Sequence, residues 1–164
     1  MKACFPIGSI STASSPAASV RPSGGRARFR QPAGRSSPSG WGCQDYQSGF
    51  YTAFRHLARE DCHAIFHYGD YIYEYGPRAA VFSWGTGQLM PTVRRHNGQE
   101  VFSLDDYRQR YTQTRLDLDL QEAHRSAAWL SSYDDHEVVN NWVSDIEPSG
   151  VSPDIFRLRR AAAM

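Results

Sequence analysis

The sequence predicts a layered α/β domain, and three observations carry that expectation. Two short apolar runs, Ala64-Ile65-Phe66-His67-Tyr68 and Trp129-Leu130-Ser131-Ser132-Tyr133, each stop at an acid-bearing turn, as buried strands do. Around and between them apolar residues recur at helical spacing, so strand and helix alternate along the chain. The chain has 164 residues, 40% of them hydrophobic and 13% aromatic, enough for one packed domain.

Residues 1–40 stand apart from this pattern. They hold nine Ser, five Gly and five Pro, with apolar side chains too sparse to offset the entropy of ordering, so the segment is expected to be disordered and of low complexity. It carries six basic residues and no acidic one, whereas residues 41–164 carry 12 basic and 17 acidic residues. The Ser- and Arg-rich character also fits a transit peptide or a weak polyanion-binding segment. The arginines are scattered with only Phe29 among them, and the rest of the chain is net negative, so no specific nucleic-acid partner is expected.

From Trp41 onward the elements follow in order. Phe50, Tyr51, Phe54, Leu57 and Ala58 mark an amphipathic helix over roughly 48–60, and the first apolar run follows as a strand halted by Gly69-Asp70. Residues 76–101 show no clear period and read as a long excursion of the type that borders functional sites. Ser103 and Asp106 form a capping-box pattern ahead of Tyr107, Tyr111 and Thr114, which opens a second helix. Leu120, Ala123, His124 and Ala127 place a third helix at about 119–128, and the second strand comes directly after it. Ser152-Pro153 opens a last helix, with Pro at its first position.

No stretch approaches the roughly 20 apolar residues that span a bilayer, so no membrane span is expected. The cysteines, Cys4, Cys43 and Cys62, are odd in number and lack CxxC spacing, which argues against a disulfide framework or a zinc knuckle.

The chemistry-bearing residues follow the strands. Cys43, Asp70 and Asp135 each fall where a strand ends or a helix is about to begin, and ligands bind beyond the carboxyl ends of strands in α/β sheets. Gly69-Asp70-Tyr71-Ile72-Tyr73 sets a carboxylate behind a tight turn and a phenol three residues on, and Asp134-Asp135-His136-Glu137 packs three carboxylates and an imidazole into four positions. A multivalent cation is the simplest stabiliser of such a set. Carboxylate, phenolate and thiolate donors suit a hard-to-borderline divalent or trivalent ion, and a bridging carboxylate allows a pair of ions. The proposed set is Cys43, Asp70, Tyr73 and Asp135. Taken singly, each has a plain structural alternative: a turn cap, a core phenol, a buried thiol, a solvated loop. In Arg94-Arg95-His96-Asn97, Arg95 and His96 are candidates for holding a phosphate, with an exposed basic turn as the alternative.

Four segments in order, Cys43 to Ala53, Gly69 to Gly76, Leu104 to Tyr111 and Asp134 to Asn141, together resemble the alkaline phosphatase D family of metallophosphoesterases. The resemblance covers about residues 42–164. It implies a calcineurin-like α/β sandwich and hydrolysis of phosphomonoesters and phosphodiesters at an Fe(III) and Ca(II) site. It further implies that Cys43 and Tyr73 ligate iron, that Asp70 bridges the two ions, and that Asp135 binds the second. Asn141 is the next calcium ligand implied, with Asn140 as the alternative. His136 is implied to lie just outside the ligand set, stabilising phosphoryl oxygens or protonating the leaving oxygen.

Two departures from the family shape the expectations. Pro38 and Gly40 make a poor central strand ahead of Cys43, so the first sheet strand is expected to be missing. The family's later histidine ligands have no counterpart, since no His follows His136. Residues 41–164 are therefore expected to form the N-terminal part of a phosphatase domain, a partial sandwich whose uncovered sheet favours association. A metal-dependent phosphoester hydrolase acting on phosphate esters is the leading reading, and a non-catalytic metal- or partner-binding fragment is the alternative. The family is commonly exported, but the N-terminus shows no twin-arginine signal and the location stays open.

Overall fold

A computed structural model of the chain describes residues 39–83 and 85–164. The segment expected to be disordered lies outside the described residues except for Ser39 and Gly40, which are strand. The elements are β1 (Ser39–Trp41), α1 (Thr52–Leu57), β2 (Ala64–His67), β3 (Ala80–Ser83), β4 (Gln88–Pro91), α2 (Leu104–Arg115), α3 (Leu118–Ser126), β5 (Ala128–Ser131) and α4 (Pro153–Ala163). The mixed α/β class expected from the alternating pattern is the class observed.

Three strands form a parallel sheet in the order β1-β2-β5, with Trp41 opposite His67 and His67 opposite Ser131. The carboxyl ends of all three strands therefore lie in one row. The first strand, expected to be missing, is present. It is three residues long and sits at the edge, where Gly40 faces one neighbour only and costs little.

The sheet has two unlike faces. Ile65 and His67 point into the core, where Tyr51, Phe54, Leu57, Tyr71, Tyr107, Leu120 and Ala123 pack against them. Phe66 and Leu130, paired across β2 and β5, point the other way and are 46% and 62% exposed. Burying a side chain such as Phe54 or Ile65 contributes roughly 1.5–3 kcal/mol, so α1 and α3 are held on one face by apolar contact. A second cluster of Val138, Val139 and Phe156 ties α4 to the loop after β5.

Local sequence explains most boundaries. The Ser103 hydroxyl accepts from Asp106 N–H while the Asp106 carboxylate accepts from Ser103 N–H, the capping box read from the sequence. Asp117 caps α3 by accepting from Leu120 N–H at 3.0 Å. α1 is shorter than the 48–60 expected, because Phe50 is 66% exposed and the helix starts only after Tyr51. The excursion 76–101 contains an antiparallel hairpin, β3-β4, that aperiodic composition had not revealed. No helix among the described residues is long and apolar enough to cross a membrane.

Candidate metal centre

The site is built on the row of strand ends. Cys43 follows β1, Asp70 follows β2 and Asp135 follows β5. The loops are joined by main-chain bonds, from Cys43 N–H to Gly69 O at 3.0 Å and from Gln44 N–H to Asp70 O at 3.1 Å. Gly69 is required where it stands. Its φ is +125°, and a Cβ there would come 2.4 Å from Asp134 N. That close passage brings the Asp70 loop against the Asp134–Glu137 turn.

Asp70, Asp135 and His136 each offer one ligand atom such that all three atoms lie within 4.8 Å of one another. The backbone is wound unusually at these points. Among the described residues, four non-glycine residues have positive φ: Cys43 at 56°, Asp70 at 57°, Asn141 at 59° and Ser144 at 53°. Three of the four are residues the sequence nominates as ligands. Left-handed backbone costs an ordinary residue about 1 kcal/mol, and such strain collects at functional sites.

Electrostatics at the cluster favour a cation. Burial, with added repulsion from Glu137, Asp135 and Asp134 and against the pull of His136, raises the Asp70 carboxyl to about 7. A buried carboxylate in that state is a poor resident without a positive partner. Tyr73 O–H donates to Asp70 Oδ2 at 3.3 Å, and burial together with the Asp70 charge pushes its phenol far up. An added cation would reverse both effects, so the donor set fits a hard metal ion.

The remaining nominated residues separate into two groups. Asn141 N–H donates to Asp135 Oδ2 at 2.6 Å and Asn140 N–H to Glu74 Oε1 at 2.8 Å, so both amides belong to the loop that carries Asp135. Cys43 stands outside the three-residue cluster. Arg95 is exposed, as a basic turn would have it, but His96 is not. His96 is 3% exposed, lies against Tyr46 with ring centroids 5.5 Å apart, and donates from Nδ1 to Tyr75 O at 2.8 Å. Burial first, then Arg110, lowers it to about 4, and it is a neutral packing residue.

Three site residues escaped the sequence reading. Glu74 Oε2 lies 2.8 Å from His136 Nδ1, and the two rings of Tyr73 and His136 stack with centroids 4.1 Å apart. Burial pulls the His136 imidazole down, but the bond and charge of Glu74, with Asp70 and Asp135, outweigh it and the net shift is upward. Glu137, 4% exposed, accepts from Tyr71 N–H and from Asp134 N–H. Arg110 donates from α2 to Tyr73 O and Tyr75 O. Glu74 and Glu137 sit inside the nominated motifs, but only the fold shows that each crosses to the other loop.

The family model for PhoD-like phosphatase matches residues 40–164. The chain is 47% identical over 121 residues to alkaline phosphatase D of Bacillus subtilis (strain 168), an alignment that covers 74% of this chain and 20% of that protein. The solved structure of PhoD superposes with a TM-score of 0.69 and 45% identity, covering 77% of this chain and 23% of the solved one. The chain thus spans about a fifth of the length of these relatives. With the matched region taking in every residue of the cluster, the chain belongs to the PhoD-like phosphatase family.

Proposed function

We propose that this chain carries part of a metal-dependent phosphoester hydrolase centre. The observation that supports it most is the convergence of Asp70, Asp135 and His136 at the carboxyl ends of parallel strands, with Asp70 buried in a left-handed conformation. Asp70, Tyr73 and Cys43 would hold Fe(III), and Asp70, Asp135 and Asn141 would hold Ca(II). Bound there, the ions would polarise the phosphoryl oxygens of a monoester or diester. His136 would donate a proton to the leaving oxygen, its ring held at the edge of the cluster by Glu74 and Tyr73. Arg95, exposed on its loop, is available to an anionic substrate, whereas His96 is enclosed by protein.

A second reading, a fragment that binds metal or a partner without turnover, draws support from the cluster gathering only Asp70, Asp135 and His136 among the described residues. One experiment separates the two. The purified chain is assayed with a chromogenic phosphodiester and a phosphomonoester in added iron and calcium, beside a metal determination and Asp70→Asn. Metal-dependent turnover lost in the variant supports the first reading. Bound metal without turnover leaves the second, and neither metal nor turnover overturns both. Self-association through the open Phe66 and Leu130 face is part of the proposal, and sedimentation of a monomer at working concentration would remove it.

A further inference from the structure

Glu74 is 1% exposed and takes no part in the metal set proposed above. It lies on the loop after β2, yet both of its side-chain partners lie on the loop after β5. Oε1 accepts from Asn140 N–H at 2.8 Å, and Oε2 lies 2.8 Å from His136 Nδ1. Glu137 returns the arrangement in the opposite direction, from the β5 loop to Tyr71 N–H on the β2 loop. The two carboxylates form a reciprocal clasp between the loops that carry Asp70 and Asp135. Arg110, 2% exposed, holds the carbonyls of Tyr73 and Tyr75, the residues on either side of Glu74, so its backbone has little freedom to move.

Hydrogen-bond chemistry then dictates the state of His136. An ionised carboxylate only accepts, so the Nδ1 facing Glu74 must carry a proton. In the neutral ring, Nε2 is left with the lone pair. It is the nitrogen available to a cation or to a proton in transit, and Tyr73 stacked on the ring fixes the plane in which it points.

We propose that Glu74 is a positioning residue that fixes His136 as the Nδ1–H tautomer with Nε2 free for the chemistry of the cluster. The inference rests on the reading of His136 as a participant at that site, but its test does not depend on turnover. Long-range proton–nitrogen NMR of the metal-free, histidine-labelled chain at alkaline pH, where the ring is neutral, reports the tautomer directly. The His136 signal is assigned by its loss in His136→Asn. The wild-type chain should show the proton on Nδ1. In Glu74→Gln the remaining oxygen stays with Asn140 N–H, the new amide donates to Nδ1, and the proton should move to Nε2. Phosphodiester turnover, where the wild-type chain shows it, should fall in Glu74→Gln with kcat rather than KM.

Each result has one meaning. A wild-type signal with the proton on Nε2 overturns the proposal even if Glu74→Gln does not fold. A folded Glu74→Gln that keeps the Nδ1–H tautomer also overturns it. The expected tautomer switch in a chain without turnover upholds the positioning role while removing the hydrolase reading on which its purpose rests.

Discussion

The backbone N–H of His136 lies 3.3 Å from Asp70 Oδ1 and joins two loops whose residues are 66 positions apart. One carboxylate thus faces a main-chain donor, the Tyr73 phenol and the ligand atoms of Asp135 and His136. Its burial is offset only in part by these contacts, as its raised titration point shows. The metal-free fold is destabilised at the place where a cation would be most useful.

Asp70→Asn should therefore stabilise the metal-free chain at pH 8. A folded-state value raised to about 7 means that the native state binds the extra proton, so stability is lost as pH rises from about 4 to about 7. Three units correspond to at most about 4 kcal/mol. Asn keeps the left-handed backbone that Asp70 adopts, whereas Asp70→Ala forfeits about 1 kcal/mol of that tolerance. Thermal melts with and without calcium check both parts: Asn should melt higher without metal and lose any metal-induced rise.

Gly69→Ala should cost at least about 2 kcal/mol, since a positive φ is combined with a main-chain clash. The added Cβ meets Asp134 N at 2.4 Å and Tyr133 C at 2.9 Å, neither of which is a flexible side-chain end. Urea denaturation gives the loss. A variant as stable as the parent would mean that the two loops need not pass this closely.

The legible and illegible parts of this fold differ in kind. Strands β2 and β5, the Ser103 capping box and the Pro153 helix start were readable because each rests on local periodicity or a cap within four residues. β1 was misjudged because Gly40 was weighed as a central strand residue, and only the sheet order places it at an edge. Asp70 and Asp135 were nominated from their positions after strands, a rule of topology that survives without coordinates. Glu74, Glu137 and Arg110 were not, since their roles depend on partners 35 to 66 residues distant. His96 was misread as part of an exposed turn because nothing local shows that Tyr46 covers it.

Acid should unfold the chain through His67 and His96. His67 donates from Nε2 to Gln44 Oε1 at 3.1 Å and receives Gly69 N–H at Nδ1, so its neutral form is fully bonded and protonation breaks the second contact. Burial, with His124 adding repulsion, lowers it to about 4, the same value as His96. Depressed values mean that the unfolded chain binds more protons, so stability present above about 6.5 is lost as pH falls toward 4. Each contributes up to about 3 kcal/mol over that window. Asp70 works in the opposite direction across the same range, so the measurement belongs in the Asp70→Asn background. Denaturant midpoints between pH 7 and pH 4 should fall steadily there and fall less when His67 is replaced by Gln.

Arg110 is the residue whose loss should disturb the site from the greatest distance. It reaches from α2 to Tyr73 O, Tyr75 O and Gln99 O, three carbonyls with the guanidinium as a shared donor. Burial lowers its own titration point to about 10 against the opposing pull of Glu74, which is far above any working pH, so the charge is kept. Arg110→Met fills similar volume but removes this donor from all three carbonyls, of which Tyr75 O keeps its bond from His96. An unsatisfied buried acceptor costs about 1–3 kcal/mol, so a loss of about that size at Tyr73 O is expected, and Arg110→Lys should recover only part of it because one ammonium cannot span the carbonyls in the plane of the guanidinium. Hydrogen exchange in the partly rescued Lys variant checks where the damage falls. Amides of the Asp70–Tyr75 and Asp134–Asn141 loops should lose protection while α1 and α3 keep theirs, and uniform loss across the chain would show that Arg110 stabilises the fold as a whole rather than the clasp around Glu74.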